Sequence, residues 1–360
     1  MWAVRRPAAA VRRGATRMHT QTAASIVDAE LTAWSHRLPP NAGAALMSDG
    51  FFVFDNAVAP GLAAALRDEI EAIQGQLYAN ATHVYVSGRK DPLLLEKKHI
   101  HEMELLAVPP KEHPHLQRWF GNTTIRDTLN HVIPPLHAAR HMIKVPSSIL
   151  ISLQRLVQVQ YNQGDGGCFP MHFDTYGDDG KCLTAILYLN DAWRDGHGGE
   201  LVLYPFPRPP IVVSPRFNRL VLFSSAQMLH RVLPRCLTTW LYKAGPSNIH
   251  APPPPHSDDG YVRLVGKLCA SPFRRHLAKL AYADAWKQSL VESHKDTDAF
   301  AAYISSFDAE IRAIDAATQK MLHGFNAKQP NAVPATTQAF LARLAAEFSR
   351  DEAASLVPWF

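Results

Sequence analysis

The sequence predicts an α+β fold, with helices first, a β-domain after them and a helical region at the end. Three observations lead there. Apolar residues recur at helical spacing early in the chain, as in "PGLAAALRDEIEAIQGQL" (60–77). From 148 the pattern changes to short strands, "SSILISLQRLVQVQYN", "CLTAILYLND", "GGELVLYPF", "IVVSPRFNRLVLFSS", "HRVLP" and "CLTTWLYKAG". Gly, Asp and Pro turns separate these strands and no helix intervenes, which indicates an antiparallel sandwich or barrel rather than a parallel sheet. Helical spacing then returns behind a Pro-rich break.

The first 25 residues, "MWAVRRPAAAVRRGATRMHTQTAAS", carry Arg5, Arg6, Arg12, Arg13 and Arg17, and no acid precedes Asp28. This is the composition of an organellar transit peptide, mitochondrial rather than chloroplast because Ser is sparse; a disordered basic arm on a cytoplasmic protein has the same look. The segment accounts for the whole formal charge of +5. The near-neutral remainder argues against a broad phosphate-binding surface, and so against a nucleic-acid partner. No apolar run is long enough to predict a membrane-spanning helix. Cys168, Cys182, Cys236 and Cys269 form no Cys-x-x-Cys pair, which fits a reducing compartment.

Residues 26–147 read as a supporting α/β region. "DGFFVFDN" (49–56) predicts a strand, and 60–77 a helix with Pro60 at its start and the stripe Leu62, Leu66, Ile70, Ile73. The stretch 78–115 reads as loop-rich; its His99, His101, His113 and His115 are interleaved with Lys, Glu and Pro, the pattern of a solvated surface. A further helix is predicted over 122–141. Residues 148–245 form the β-core, 246–260 a Pro-rich linker and 261–360 a helical tail. The best tail helix spans 297–323: Phe300, Tyr303, Ile304, Phe307, Ile311, Ile314 and Met321 recur behind the capping candidate Asp296, and Gly324 closes it. That stripe either packs on the β-domain or forms a dimer interface, so the sequence leaves the oligomeric state open.

The chemistry concentrates in "PMHFDTYGDDG" (170–180). Residues two apart on a strand point to the same face, so His172 and Asp174 there present an imidazole and a carboxylate to one cation. The same triplet recurs at His256 to Asp258 and His294 to Asp296, but these lie in the linker and the helical tail. Two histidines and one carboxylate bind Fe(II) on one face of an octahedron and leave the opposite face open. His230, opening a strand after "RLVLF", is the candidate third ligand, because a jelly roll makes neighbours of strands distant in sequence.

From about Gln160 to Tyr242 the chain resembles the catalytic double-stranded β-helix of the Fe(II)/2-oxoglutarate-dependent prolyl hydroxylases, particularly the oxygen-sensing branch. "QYNQGDGGCFPMHFDTYGDDGKCLTAILYLNDAW", "GGELVLYPFP", "VSPRFNRLVLFSS" and "HRVLP" occur in that family's order. The resemblance implies a jelly roll with N-terminal supporting helices, and the helical extension lies beyond it. It assigns His172, Asp174 and His230 to Fe(II), and Tyr161 and Tyr188 to the pocket of the cosubstrate 2-oxoglutarate. Family members place a cation nine or ten positions after the distal histidine, where this chain has Thr239. The nearest cation is Arg235. By strand parity, Thr238 faces inward with Trp240 and Cys236, and Arg235 joins them only through a β-bulge near Cys236. Arg235 and Thr238 complete the cosubstrate candidates.

The implied activity is that of a dioxygenase using O2, with ascorbate as an accessory, that hydroxylates a prolyl residue of a protein or peptide and releases succinate and CO2. A different class of function fits the same fold: a catalytically silent barrel that acts as an interaction module through its tail. A nucleic-acid demethylase on this scaffold would need a basic groove that the neutral body does not provide.

Overall fold

A computed structural model describes residues 22–86, 88–104, 112–133, 136, 138–142, 158–162, 168–175, 179–231, 236–243, 260–270, 272–348 and 359–360. Helix α1 (Ala23–Arg37) is capped by Thr22, whose hydroxyl accepts a 3.3 Å hydrogen bond from the Ser25 N–H. Then come α2 (Ala42–Asp49), β1 (Phe51–Phe54), α3 (Pro60–Ala72), β2 (Tyr78–Val84), β3 (Leu93–Glu104), α4 (Pro114–Gly121), α5 (Thr124–Val132) and β4 (Ala138–Met142). The β-core holds β5 (Gln158–Asn162), β6 (Lys181–Tyr188), β7 (Leu201–Tyr204), β8 (Ile211–Val213), β9 (Arg219–Ser224), β10 (Leu229–Arg231) and β11 (Cys236–Lys243). The tail is α6 (Gly260–Ala270), α7 (Phe273–Ala281), α8 (Ala283–Ser293), α9 (Asp298–Lys328) and α10 (Thr337–Phe348).

The strands form two antiparallel sheets. The larger runs β1-β9-β6-β11-β5-β3-β2, with β4 also on β11; the smaller runs β10-β7-β8. Two such sheets make the jelly-roll arrangement. Every residue of β6 is buried, because both of its faces are covered. Its Leu183 and Leu187 share one core with Leu220 and Leu222 of β9 and with Leu31, Leu62 and Leu66 of the N-terminal helices. Gly50 closes α2 in the left-handed region (φ 79°), and the Trp359 ring lies against it.

Several predicted elements differ from the observed ones. The helix expected over 122–141 ends at Val132 and strand β4 begins at Ala138. Pro134 and Pro135 between them remove helix donors and disfavour the α conformation before them. The helix expected over 60–77 ends at Ala72, followed by a 3₁₀ turn at Gln74–Gln76. The stretch taken as loop-rich holds the hairpin β2–β3. Ala79 pairs with His101 and Ala81 with Glu96, so Lys97–Ile100 bulge opposite Asn80, and His99 takes φ 57°. That bulge destroys the period-two pattern from which a strand is read.

Helix α9 is capped by Thr297 rather than Asp296: the threonine hydroxyl accepts from the Phe300 N–H at 3.1 Å. It also runs past Gly324 to Lys328. Glycine costs a helix interior only about 1 kcal/mol. Here the Asn326 side chain, which exchanges hydrogen bonds with the Val333 backbone at 2.9 and 3.1 Å, helps hold the extra turn.

The stripe of α9 is covered within its own chain. Phe300 and Phe307 bury together with Trp286 and Leu290 of α8 and with Met171, Tyr204 and Leu229 of the β-core. Of the 25 residues read as a leader, 1–21 lie outside the described residues and α1 takes up Ala23 onward. The linker stretch 246–259 also lies outside them.

Candidate metal centre

His172 and His230 meet as cross-strand neighbours. The His172 N–H donates to the His230 carbonyl at 3.0 Å, and the His230 N–H returns the bond at 3.1 Å. This bridge adds the segment around His172 to the free edge of β10 and sets the ring centroids 4.3 Å apart. Asp174 follows on the same segment. His172 Nε2 lies 3.6 Å from Asp174 Oδ1, and His230 Nε2 lies 3.9 Å from Asp174 Oδ2. Among the described residues this is the group of three able to hold one metal ion, with its donor atoms all within 4.8 Å of one another.

Each ring is fixed by its other nitrogen. His172 Nδ1 lies 2.8 Å from the Pro170 carbonyl, and His230 Nδ1 lies 3.1 Å from that of Met228. A carbonyl only accepts, so each Nδ1 carries the proton and donates, which leaves an Nε2 lone pair aimed at the shared space. Burial, with His172 alongside, lowers the His230 pKa to about 4 against the pull of Asp174, and the ring is neutral near pH 7. Burial pushes the Asp174 carboxyl up, but His230, His172 and Lys181 outweigh it and hold the group below the usual carboxylate range. Two imidazole nitrogens and one carboxylate are the donors that Fe(II) takes in a facial triad. Around an ion bound at ~2.1 Å, adjacent donors sit about 3 Å apart, so the two imidazole–carboxylate separations would contract by under ~1 Å on binding.

Three further side chains hold the carboxylate in place. Thr184 Oγ1 donates to Asp174 Oδ2 at 2.5 Å and meets Ser225 Oγ at 2.7 Å. Lys181 Nζ donates to the Asp174 carbonyl at 2.8 Å, lies 3.2 Å from Asp179 Oδ2 and sits 5.3 Å from the centroid of the Trp240 ring. Thr184 was open to a parity argument, since it alternates with Ile186 and Tyr188 in "LTAILY". Lys181 was not. Leu183 pairs with Leu241 and Lys181 with Tyr242, so Cys182 is an extra residue that turns Lys181 onto the face of Trp240.

The triad lines a cavity of about 520 Å³ together with Thr184, Ile186, Thr238 and Trp240. Thr238 is 5% exposed and pairs with Ile186. Tyr188 is fully buried at the end of β6, opposite Cys236 and beyond the lining residues. Tyr161 lies on β5 opposite His101, with its side chain outside the described residues. Arg235 also lies outside them. The described pairs Cys236–Leu241 run in regular register with β6, and the irregularity falls at Leu241/Tyr242 rather than near Cys236.

The other histidines stand apart from the triad, although His83 and His294 line the same cavity. His115 Nδ1 pairs with Glu69 at 2.7 Å and His113 is buried, so this pair is not the solvated surface read from the sequence. His294 ends α8, where it stacks on Phe300.

The tail grips both ligand-bearing segments. The Met171 N–H, one residue before His172, donates to Ser289 Oγ of α8 at 2.9 Å, and Arg231, one residue after His230, forms an ion pair with Glu292 of the same helix.

Comparison with known proteins agrees with this geometry. Residues 157–242 match the profile of the 2OG-Fe(II) oxygenase superfamily. Prolyl hydroxylase EGLN3 of Homo sapiens is 36% identical over 89 residues, covering 22% of this chain and 37% of the relative. The hypoxia-inducible factor prolyl hydroxylase of Caenorhabditis elegans is 39% identical over 74 residues, 20% of this chain and 10% of that protein. The chain thus spans well under half the length of either relative. A crystal structure of prolyl 4-hydroxylases from Phytophthora capsici superposes with a TM-score of 0.60 at 24% identity, covering 88% of this chain and 94% of that one, which establishes the shared fold. Residues 157–242, which hold the His172–Asp174–His230 triad, thus match the 2OG-Fe(II) oxygenase superfamily, and the sequence relatives are prolyl hydroxylases.

Proposed function

We propose that this protein is an Fe(II)- and 2-oxoglutarate-dependent dioxygenase that hydroxylates a prolyl residue of a protein or peptide. The observation that carries this is the convergence of two imidazole Nε2 atoms and one carboxylate on the lining of one cavity. His172, Asp174 and His230 would hold the iron. Bound iron supplies the O2 chemistry: one oxygen atom enters the substrate C–H bond, and the other enters succinate as 2-oxoglutarate loses CO2.

The chain's own part is to bind and orient. Nδ1 donation to backbone carbonyls fixes both rings, and Thr184 and Lys181 keep the carboxylate and its backbone in register. Thr238 supplies a hydroxyl-bearing wall on which a cosubstrate carboxylate would lie, with Tyr161, Tyr188 and Arg235 as the other groups proposed for it. Ascorbate would serve as an accessory reductant. The Arg-rich start supports a mitochondrial address, for which a fusion of residues 1–25 to a fluorescent protein is the test.

The experiment is direct. Purified protein given Fe(II), O2 and labelled 2-oxoglutarate is expected to release CO2 and succinate, and Asp174→Ala to abolish this. One observation favours the second reading, a barrel without turnover: Thr239 stands where the resembled family carries a cation. Iron-loaded protein that binds the metal yet yields no succinate would establish it.

A further inference from the structure

The cavity over the metal triad has two dissimilar walls. One is β2, the terminal strand of the larger sheet, whose residues Asn80 to Val84, with Tyr85 just after them, line the cavity. The other belongs to the helical tail: Lys279 of α7, Trp286 and Leu290 of α8, and Tyr303 and Glu310 of α9 line the same cavity. The matched profile ends at 242, short of this tail, while the fold shared with the Phytophthora capsici prolyl 4-hydroxylases extends into it.

The tail wall has the chemistry of a peptide-reading surface. Tyr303, partly buried, and Trp286, 5% exposed, line the cavity with aromatic rings, against whose accessible edges a pyrrolidine ring can pack. At the rim, Lys279 Nζ lies 2.6 Å from Glu310 Oε2 and 5.1 Å from the centroid of the Trp286 ring, so both signs of charge sit beside the aromatic seat. Glu310 keeps 47% of its side chain exposed and is open to a charged neighbour. Across the cavity, a terminal strand offers backbone groups on its outer edge, which an extended polypeptide can meet.

We infer that the helical tail is the substrate-selecting wall of the metal cavity. A proline-bearing chain threads between it and β2, with Trp286 and Tyr303 seating the ring and Lys279 and Glu310 reading the flanking side chains. The inference rests on the oxygenase reading above and adds the origin of its selectivity. Packing the tail on the barrel is shared by Phe300, Phe307, Leu290 and Trp286 of the second core, so Tyr303 and Glu310, which pack less deeply, are the residues that test selection apart from packing.

The test uses the full chain and a decapeptide library with a fixed central proline and random flanks. First, Tyr303→benzoylphenylalanine in Mn(II)-loaded protein is irradiated with the library, with Ser305→benzoylphenylalanine on the outer face of α9 as control. This arm needs no turnover. Crosslinked peptide at 303, several-fold above the control, is expected; equal yields at both positions would overturn the inference, whatever the succinate assay shows. Second, library members that gain one oxygen atom are sequenced. Glu310→Lys is expected to move the flanking preference towards Asp and Glu by roughly tenfold, a change of selectivity that loss of packing cannot produce. Tyr303→Ala is expected to raise the peptide KM about tenfold with kcat changed less than threefold. Identical flanking preferences in the wild type and Glu310→Lys would overturn the inference while leaving the dioxygenase reading intact. Failure of the succinate assay with a positive crosslink would do the reverse.

Discussion

Ser289 of α8 accepts a 2.9 Å hydrogen bond from the Met171 N–H, one residue before the proposed ligand His172. Ser289 is fully buried, and its own proton goes to the Trp286 carbonyl at 2.6 Å. Glu292, three residues on and thus on the same side of the helix, holds Arg231 beside His230. One helix of the tail therefore fixes both strands that meet at the metal site. Ser289→Ala leaves the Met171 donor buried without its acceptor, a cost of about 1–3 kcal/mol. We expect a lower unfolding midpoint together with Mn(II) binding weakened by about tenfold, read by calorimetry. Unchanged metal affinity would show that α8 stabilises the barrel without positioning the ligand.

Thr184→Val separates ligand support from fold. The substitution keeps the shape of a β-branched side chain on β6 and removes the donor to Asp174 Oδ2. Loss of such a supporting bond typically costs 10–100-fold in metal affinity. Calorimetric titration with Mn(II) should show a loss of that size, with circular dichroism unchanged. Asp174→Ala should go further and remove measurable binding, because it deletes the anionic ligand.

Most of the β-core and the three metal-site candidates could be read from the chain, because they depend on local signals. The two-residue spacing marks His172 with Asp174, although the segment is an isolated bridge at His172 followed by a bend rather than the strand expected, and the strand after "RLVLF" carries His230. What escaped reading depends on irregularity or on distant contact. The β2–β3 hairpin hides behind the bulge at Lys97–Ile100, and Lys181 reaches the cavity only because Cys182 is inserted in β6. Ser289 and Glu292 look like ordinary polar positions of an amphipathic helix. Nothing local marks them as partners of residues 118 and 61 positions away; only the docking of α8 does so.

Gly50 gives a prediction independent of chemistry. It adopts φ 79°, and a Cβ built there would lie 2.2 Å from Trp359 Cδ2. Trp359 is 1% exposed, its carbonyl accepts from Ser224 Oγ at 2.6 Å, and the Arg274 guanidinium lies 4.0 Å from its ring centroid, so the indole has little room to retreat. Gly50→Ala therefore meets both backbone strain and overpacking, about 2–4 kcal/mol together. Chemical denaturation should show a loss of this order, and a loss below 0.5 kcal/mol would mean the indole moves aside freely.

Acid should loosen the tail through His294. This ring is 4% exposed, stacks on Phe300 at 5.5 Å and shares its Nδ1 between Ser293 Oγ at 3.0 Å and the Leu290 carbonyl at 3.1 Å. It sits where the tail is tied to β3, by the Lys97–His294 bridge and the Lys295 N–H bond to the Glu96 carbonyl at 3.1 Å. Burial lowers its pKa to about 4 despite the Leu290 bond, with Lys97 and Lys98 acting in the same direction as burial. Above the unfolded value of about 6.5 both states are neutral and the contribution is fully present. As the pH falls from there towards 4 the unfolded chain takes the proton first, and stability declines by up to ~3 kcal/mol. His294→Phe keeps the stacking and cannot titrate. The difference in unfolding free energy between wild type and variant should therefore change by up to that amount between pH 7 and 4, with the wild type losing more. Parallel pH profiles would show that the ring is protonated equally easily in both states and that the tail is not tied through a neutral histidine.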